Sequence, residues 1–248
     1  MTSSSYDPAA YGEAIASDYD ALYDSVPDTE EAVGCLAELA AGGGLLEMGI
    51  GIGRLALPLR ERGVEVHGIE ASAAMVAELR KRPGGADIPV AVGSFADTEV
   101  SGKRFAVVVL ALHTIFGLPD HDQKIRCFAN AERHLADGGV FVVEATILDT
   151  GAFRAGKAVI PRFTDRERVE LQVLRYDAAT QDVETTNVHL SNDGVRVNGF
   201  RNSYASPQEL DLIARLGGLR LRERWSSWTR EPFSGSSTRH VSVYGRPG

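Results

Sequence analysis

The segment Glu47-Met-Gly49-Ile-Gly51-Ile-Gly53-Arg54-Leu55 closes a short apolar run, and a second strand pattern beyond it ends at Glu70. Leu45 and Leu46 read as a buried strand, and Leu55-Ala-Leu57-Pro-Leu59-Arg-Glu-Arg-Gly63 reads as a helix ended by glycine. Alternating glycines at a strand-to-helix turn let a ligand approach the backbone, and the helix N-terminus behind them favours negative charge. Val64-Glu-Val66-His-Gly-Ile69 alternates as the second strand, and Glu70 at its tip is placed to accept both hydroxyls of a ribose. The pattern predicts a nucleoside-binding half-site.

Spacing narrows the ligand. The dinucleotide fingerprint needs a third glycine where this chain carries Arg54. The chain instead places an acid, Glu47, two residues before Gly49, and a carboxylate there suits a cationic ligand better than a pyrophosphate. This acid-x-Gly-x-Gly-x-Gly turn resembles the first motif of the class I S-adenosylmethionine-dependent methyltransferases. A glycine turn of purely structural purpose is the plainer alternative.

Strand and helix patterns alternate five times through residue 143, which predicts a parallel sheet covered on both faces. Phe105-Ala-Val-Val-Val-Leu-Ala-Leu112 is apolar on both faces, as a central strand must be. Asp28-Thr-Glu-Glu31 predicts a helix cap, as does Ser72, and the helix 120–135 is expected to close at Asp137-Gly-Gly139 before a fifth strand from Val140. Beyond 150 the rhythm changes to three period-two strands, 169–176, 182–190 and 195–200, separated by good turns. Ser206-Pro-Gln-Glu209 then caps a helix to Leu216, and two strands close the chain. The layout resembles the bacterial small-molecule branch of that family, the natural-product type. It implies an α/β, Rossmann-like, doubly wound, seven-stranded and mostly parallel sheet with an inserted antiparallel layer. The expected organisation is a core of 1–150 and 203–248 with an N-terminal helical cap, and a lid of 151–202.

Composition excludes several classes. A chain of 248 residues that is 44% hydrophobic can bury a full core. The net charge of −8 without a basic run makes nucleic acid and anionic membrane poor partners. No apolar run has transmembrane length and no signal peptide is evident; Cys35 and Cys127 lack partners or metal-ligand spacing, so a reducing cytoplasm and no metal are expected.

The resemblance implies S-adenosylmethionine as cofactor, with Gly49, Gly51 and Gly53 taking the methionine part and Glu47 near its ammonium. Glu70 would take the ribose, and Ala71 the adenine edge. The family usually has Gly-Asp after strand three; here Gly93-Ser94-Phe95 stands instead, so Ser94 would offer a hydroxyl and Phe95 would cover the base, beside Ala111. Arg54 either reaches the methionine carboxylate or is solvated. Tyr19 and Tyr23 resemble residues that close the cofactor cleft, or they staple the cap helix to the core. His113, followed by Thr114 at the exit of strand four, is either a general base or shapes the acceptor pocket. Glu144 points into the cleft or forms a buried pair, and Arg239 and His240 resemble the family's last loop and strand facing the acceptor. Arg201 and Tyr204 line that pocket or pack the inserted layer. The implied reaction is methyl transfer to a nitrogen or oxygen of a small molecule. Rival readings are a cofactor-binding protein for sensing or cyclisation, and an NAD-dependent oxidoreductase. Exposed strand edges in the insert also make a homodimer through that layer an expectation.

Overall fold

The computed structural model describes residues 7–16 and 28–248. Two largely buried strands form the middle of the main sheet: β1 (Leu45–Met48), buried throughout and apolar but for Glu47, and the wholly apolar β4 (Phe105–Leu110). β2 (Val66–Glu70) and β3 (Val90–Val92) extend the sheet on one side of β1. On the far side of β4 lie β5 (Leu135–Thr146), β11 (Arg239–Gly245) and β10 (Arg220–Trp225). The order is β10-β11-β5-β4-β1-β2-β3, seven strands in all. β1 to β5 run parallel, and β11 is antiparallel to both of its neighbours.

Strand alternation sends successive side chains to opposite faces, and helices cover each face. Leu45, Val107, Val109 and Val142 pack with Val33 and Leu36 of α2 (Thr29–Ala40), Leu59 of α3 (Ala56–Glu61) and Leu79 of α4 (Ala73–Lys81). Leu46, Val108, Leu110 and Val143 pack with Phe128 and Ala131 of α5 (His121–His134), and with Leu210 and Ile213 of α6 (Pro207–Leu216). A short α1 (Ala10–Ile15) lies against α4. No helix among the described residues is long and apolar enough to cross a membrane.

A second sheet follows β5: β6 (Lys157–Thr164), β7 (Arg168–Asp177), β8 (Asp182–Ser191) and β9 (Gly194–Ser203), all antiparallel neighbours. Its inner face presents Ala158, Leu174 and Val183 to the core, and β9 packs on the 3₁₀ turn Thr114–Gly117 that leaves β4.

Several local expectations hold. Ser72 Oγ accepts the Met75 N–H (3.1 Å), and Ser206 and Glu209 complete a capping box. Others need correction. Asp28 sits at a left-handed φ of 69° and makes no cap; its carboxylate pairs instead with Arg239. Helix α5 passes at Leu135 directly into β5, so Asp137-Gly-Gly139 lies inside the strand range, where the register with β4 shifts. The insert has four strands, not three. β6 escaped the pattern because Pro161 interrupts it; proline is tolerated there because β6 is an edge strand with a register shift between Pro161 and Phe163.

Candidate active site

The turn after β1 is built by positive φ. Gly49, Gly51 and Gly53 have φ of 73°, 54° and 89°. The N–H groups of Gly49 and Ile50 both donate to the Ile69 carbonyl, which ties the turn to the end of β2. A Cβ at Gly53 would stand 2.5 Å from Leu79 Cδ1, whereas one at Gly51 would meet nothing within 4 Å. Gly53 is thus required by packing, and Gly51 opens onto free space where a ligand can lie against the backbone.

Two carboxylates flank that space. Glu70 Oε2 accepts the Gly51 N–H and Oε1 accepts the Ser72 N–H, both at 2.9 Å. Burial pushes the Glu70 carboxyl above its usual range, and these N–H groups pull against it. Each oxygen keeps a second lone pair, so the carboxylate can bind hydroxyls and brace the turn together. Glu47 is different. It is buried, and its Oε2 has no hydrogen-bond partner. Burial raises its pKa to about 8, opposed by the Arg54 charge and reinforced by Glu70. A buried acceptor left open beside a ligand-accessible turn fits a cation that arrives with the ligand.

The exit of β4 forms the second half of the site. Leu112 and His113 both adopt left-handed backbone, at φ of 49° and 61°. Two consecutive side-chain-bearing residues in this region are strained. Glu144 near the end of β5 holds them: its Oε2 accepts the Leu112 N–H (3.0 Å), and its backbone carbonyl accepts the His113 N–H (3.2 Å). Glu144 Oε1 lies 3.6 Å from Arg239, which also pairs with Asp28. Glu144 therefore forms the buried pair. His113 Nδ1 is buried and unpartnered; burial lowers the imidazole's pKa, Glu144 raises it, and Arg239 lowers it. His240 of β11 is fully buried, with Nδ1 2.8 Å from Ser242 Oγ and Nε2 unpartnered. Burial drives its pKa to about 3, helped by Arg224 and by His113, so the two histidines are close enough to feel each other's charge.

The remaining sequence-derived residues divide. Thr114 donates its hydroxyl to the Ala111 carbonyl (2.7 Å), and its methyl would be 3.0 Å from a Cβ at Gly49. Phe95 lies 4.0 Å from that same point, so Thr114, Phe95 and the glycine turn come together. Ala111 is buried beside them in sequence, and Ala71 is half-buried after Glu70. Ser94 Oγ accepts the Ala96 N–H (3.3 Å), a local turn. Arg54 donates to Thr29 Oγ1 (2.9 Å), linking the turn to α2. Tyr204 packs against Phe116 and its hydroxyl accepts the Leu148 N–H (3.3 Å), so it staples the layer to the core. Arg201 is mostly exposed and pairs with Asp182 on the layer. Tyr19 and Tyr23 lie outside the described residues. Sequence reasoning missed Glu13, whose carboxylate accepts from the Ser72 hydroxyl (2.8 Å) and the Ala74 N–H (3.1 Å), and also Arg224, Ser242 and Asp211 behind His240. None of these carries a local motif; only strand pairing and helix docking bring them in.

Comparison with known proteins agrees with this geometry. Residues 45–139 match a family described as a methyltransferase domain. The structure of the CcbJ methyltransferase from Streptomyces caelestis is 35% identical, with a TM-score of 0.89 over 98% of this chain and 100% of that one. An S-adenosylmethionine-dependent methyltransferase from Clostridium acetobutylicum shares the fold at 15% identity, TM-score 0.79, covering 96% of this chain and 100% of its own. A cofactor-bound amino pentose methyltransferase from Micromonospora echinaspora, involved in calicheamicin biosynthesis, does so at 21%, TM-score 0.68, over 91% and 95%. No curated protein matched by sequence. With that identity over nearly the whole chain, and the acid-headed glycine turn in place, the protein belongs to the class I S-adenosylmethionine-dependent methyltransferases.

Proposed function

We propose that this chain moves the methyl group of S-adenosylmethionine onto a nitrogen or oxygen of a small-molecule acceptor by in-line displacement. The observation that carries the reading is Glu47 Oε2, buried without a partner at the foot of a glycine turn open at Gly51. The cofactor supplies a methyl already carried by a good leaving group, so the protein's task is to hold, orient and exclude water. Glu47 would take the α-ammonium, the Gly51 region the methionine backbone, and Glu70 the ribose. Phe95 would cover the base. His113, with Glu144 fixing its backbone, stands on the acceptor side either as base or as pocket wall.

We further assign 1–150 and 203–248 to the cofactor-binding core and 151–202 to a lid over the acceptor. Support comes from the inner face of the four-stranded layer, which packs on the turn leaving β4. Beyond a charged end formed by Lys157, Arg175, Glu184 and Arg201, the outer face of that layer is apolar: Val159 pairs with Val173, Val188 with Val197 and Leu190 with Val195. Val159, Val195 and Val197 are each at least 60% exposed. An exposed apolar patch of this kind supports a homodimer through the layer. We place the enzyme in the cytoplasm, in small-molecule biosynthesis. Incubation with S-adenosylmethionine and a panel of amines and alcohols, with S-adenosylhomocysteine followed by mass spectrometry, tests the activity. Calorimetry showing tighter NAD than S-adenosylhomocysteine binding would overturn it, and sedimentation showing only monomer would remove the dimer.

A further inference from the structure

We propose that α1 sets the aim of the ribose-binding carboxylate: Glu13, which Gly12 lets close on Ser72, is a positioning residue acting on Glu70 through that serine. The inference rests on the reading of Glu70 as the ribose acceptor given above, and adds to it a residue that acts at one remove.

Ser72 follows β2, caps α4 and is fully buried. Its N–H donates to Glu70 Oε1 at 2.9 Å, and its Oγ accepts the Met75 N–H at 3.1 Å. Its hydroxyl proton goes to Glu13 Oε1, 2.8 Å away, and the same oxygen accepts the Ala74 N–H at 3.1 Å. The Ala74 N–H and the Ser72 hydroxyl hold the Glu13 carboxyl below the usual carboxylate range, so it is ionised and only accepts. The first turn of α4 therefore takes its cap from two elements. Ser72 answers the Met75 N–H, and Glu13, from another helix, answers Ala74. Glu13 itself is exposed, but the hydroxyl it answers belongs to a buried residue and loses its acceptor without it. Glu70 Oε2 is held by the Gly51 N–H at 2.9 Å. One N–H from the glycine turn and one from a residue held by α1 thus orient the carboxylate.

A helix of six residues is not stable alone in water, so the place of α1 comes from docking. Ile15 and Ala16 pack with Met75 and with Ile52, which lies between Gly51 and Gly53. Tyr11 meets Phe200 of the lid strand β9 edge to face, with ring centroids 5.3 Å apart. Gly12 permits the close approach: a Cβ there would stand 2.5 Å from Ser72 Cβ and 3.0 Å from its Oγ. Glycine weakens a helix interior relative to alanine, and this contact is what it secures. The influence on Glu70 is geometric. Burial pushes the Glu70 carboxyl up, the Ser72 and Gly51 N–H groups pull it down, and the Glu13 charge adds to the push. What α1 contributes is the fixed Ser72 N–H, not charge.

Calorimetry with S-adenosylhomocysteine and with its analogue lacking both ribose hydroxyls tests the placement. The wild type should favour the hydroxyl-bearing ligand by about 10- to 100-fold. Glu13→Ala should weaken S-adenosylhomocysteine by about 5- to 30-fold and leave the analogue within about twofold, so the preference shrinks. Glu13→Gln keeps an accepting oxygen and should keep the preference. Gly12→Ala should raise helix propensity yet act like Glu13→Ala, because the added methyl wedges α1 off Ser72. Equal losses for both ligands in Glu13→Ala would leave Glu13 a plain helix cap and overturn the inference. So would a preference lost in Glu13→Gln or surviving in Gly12→Ala. Wild-type protein that fails to bind S-adenosylhomocysteine sinks the methyltransferase reading, and one that binds both ligands equally sinks Glu70 as ribose acceptor. A wild type that discriminates, with variants that do not follow the pattern, sinks the role of α1 alone.

Discussion

With Glu47 as the proposed partner of the cofactor's ammonium, cofactor binding becomes a proton-coupled event whose direction changes sign with pH. Its carboxyl is pushed up to about 8 by burial, so at pH 7 it is protonated in roughly nine molecules of ten. The α-amino group of S-adenosylhomocysteine, with an ordinary pKa of about 8, is likewise mostly protonated at pH 7. Side by side in the site, the two groups retain one proton between them as an ammonium–carboxylate pair. Before binding they hold about 1.8 protons at pH 7, so binding releases roughly 0.8. At pH 9 the free groups hold about 0.2, and binding takes up roughly 0.8. Affinity should therefore peak near pH 8 and fall by about 25-fold at pH 6 and at pH 10. Calorimetry in buffers of different ionisation enthalpy reads the proton count directly. Glu47→Gln should abolish the release at pH 7 and weaken binding. An observed enthalpy independent of buffer at both pH 7 and pH 9 would refute the reasoning. The same residue strains the cofactor-free protein. An acid whose folded pKa is raised loses stability as pH rises from its unfolded value of about 4.5, at about 1.4 kcal/mol per unit, so Glu47→Gln should stabilise the empty protein at pH 7 by up to about 3 kcal/mol.

The glycine turn separates packing from binding: Gly53→Ala should lower stability by more than about 2 kcal/mol through contact with Leu79, whereas Gly51→Ala should cost about 1 kcal/mol of backbone strain yet abolish S-adenosylhomocysteine binding. Thermal melts and calorimetry on the pair check this, and equal melting temperatures would contradict it. His113→Asn should cut turnover by roughly 10²–10⁴-fold, with the wild-type rate falling only on the acid side of the usual histidine range, if the imidazole removes a proton. A change confined to the acceptor's KM assigns it to the pocket wall. Buried His240 has its folded pKa depressed to about 3, so its contribution is present above about pH 6.5 and is lost as pH falls. By pH 5 the loss is about 2 kcal/mol, and urea unfolding of His240→Phe should show a shallower decline between pH 7 and 5.

What the sequence discloses is what local rules govern. The doubly apolar run 105–112 reads as a central strand, and the glycine turn is legible because backbone conformation there demands glycine. The capping box at Ser206 is likewise written in four adjacent residues. β6 was hidden because Pro161 and the charged residues about it imitate a loop, and pairing with β7 overrides that local preference. Asp28 looks like a cap, but Arg239, more than two hundred residues on, claims its carboxylate. The site's polar wiring is illegible for the same reason. Arg224 meets Ser242 only because β10 pairs with β11, and Glu144 meets Leu112 only because β5 lies beside β4.

That wiring also explains how a cationic methyl donor could share a cleft with four acidic side chains. Glu144 sits nearest His113, yet Leu112 N–H and Arg239 occupy its two oxygens. Glu70 is engaged by Gly51 and Ser72, and Asp28 by Arg239. A free carboxylate beside a sulfonium would hold it by charge, or compete with the acceptor as a nucleophile. Among these four only Glu47 keeps a buried oxygen without a partner, and it stands at the glycine turn, where an amino-acid tail and not the methyl is expected. At the other pole the open groups are His113 Nδ1, at the exit of β4, and His240 Nε2, on the β5–β11 side of the sheet. On the proposed reading, the site offers one unanswered carboxylate oxygen toward the cofactor's charged end and two unanswered ring nitrogens on the other side. Between them the acids are engaged by N–H groups or by Arg239, which favours attack by the acceptor over capture by the protein.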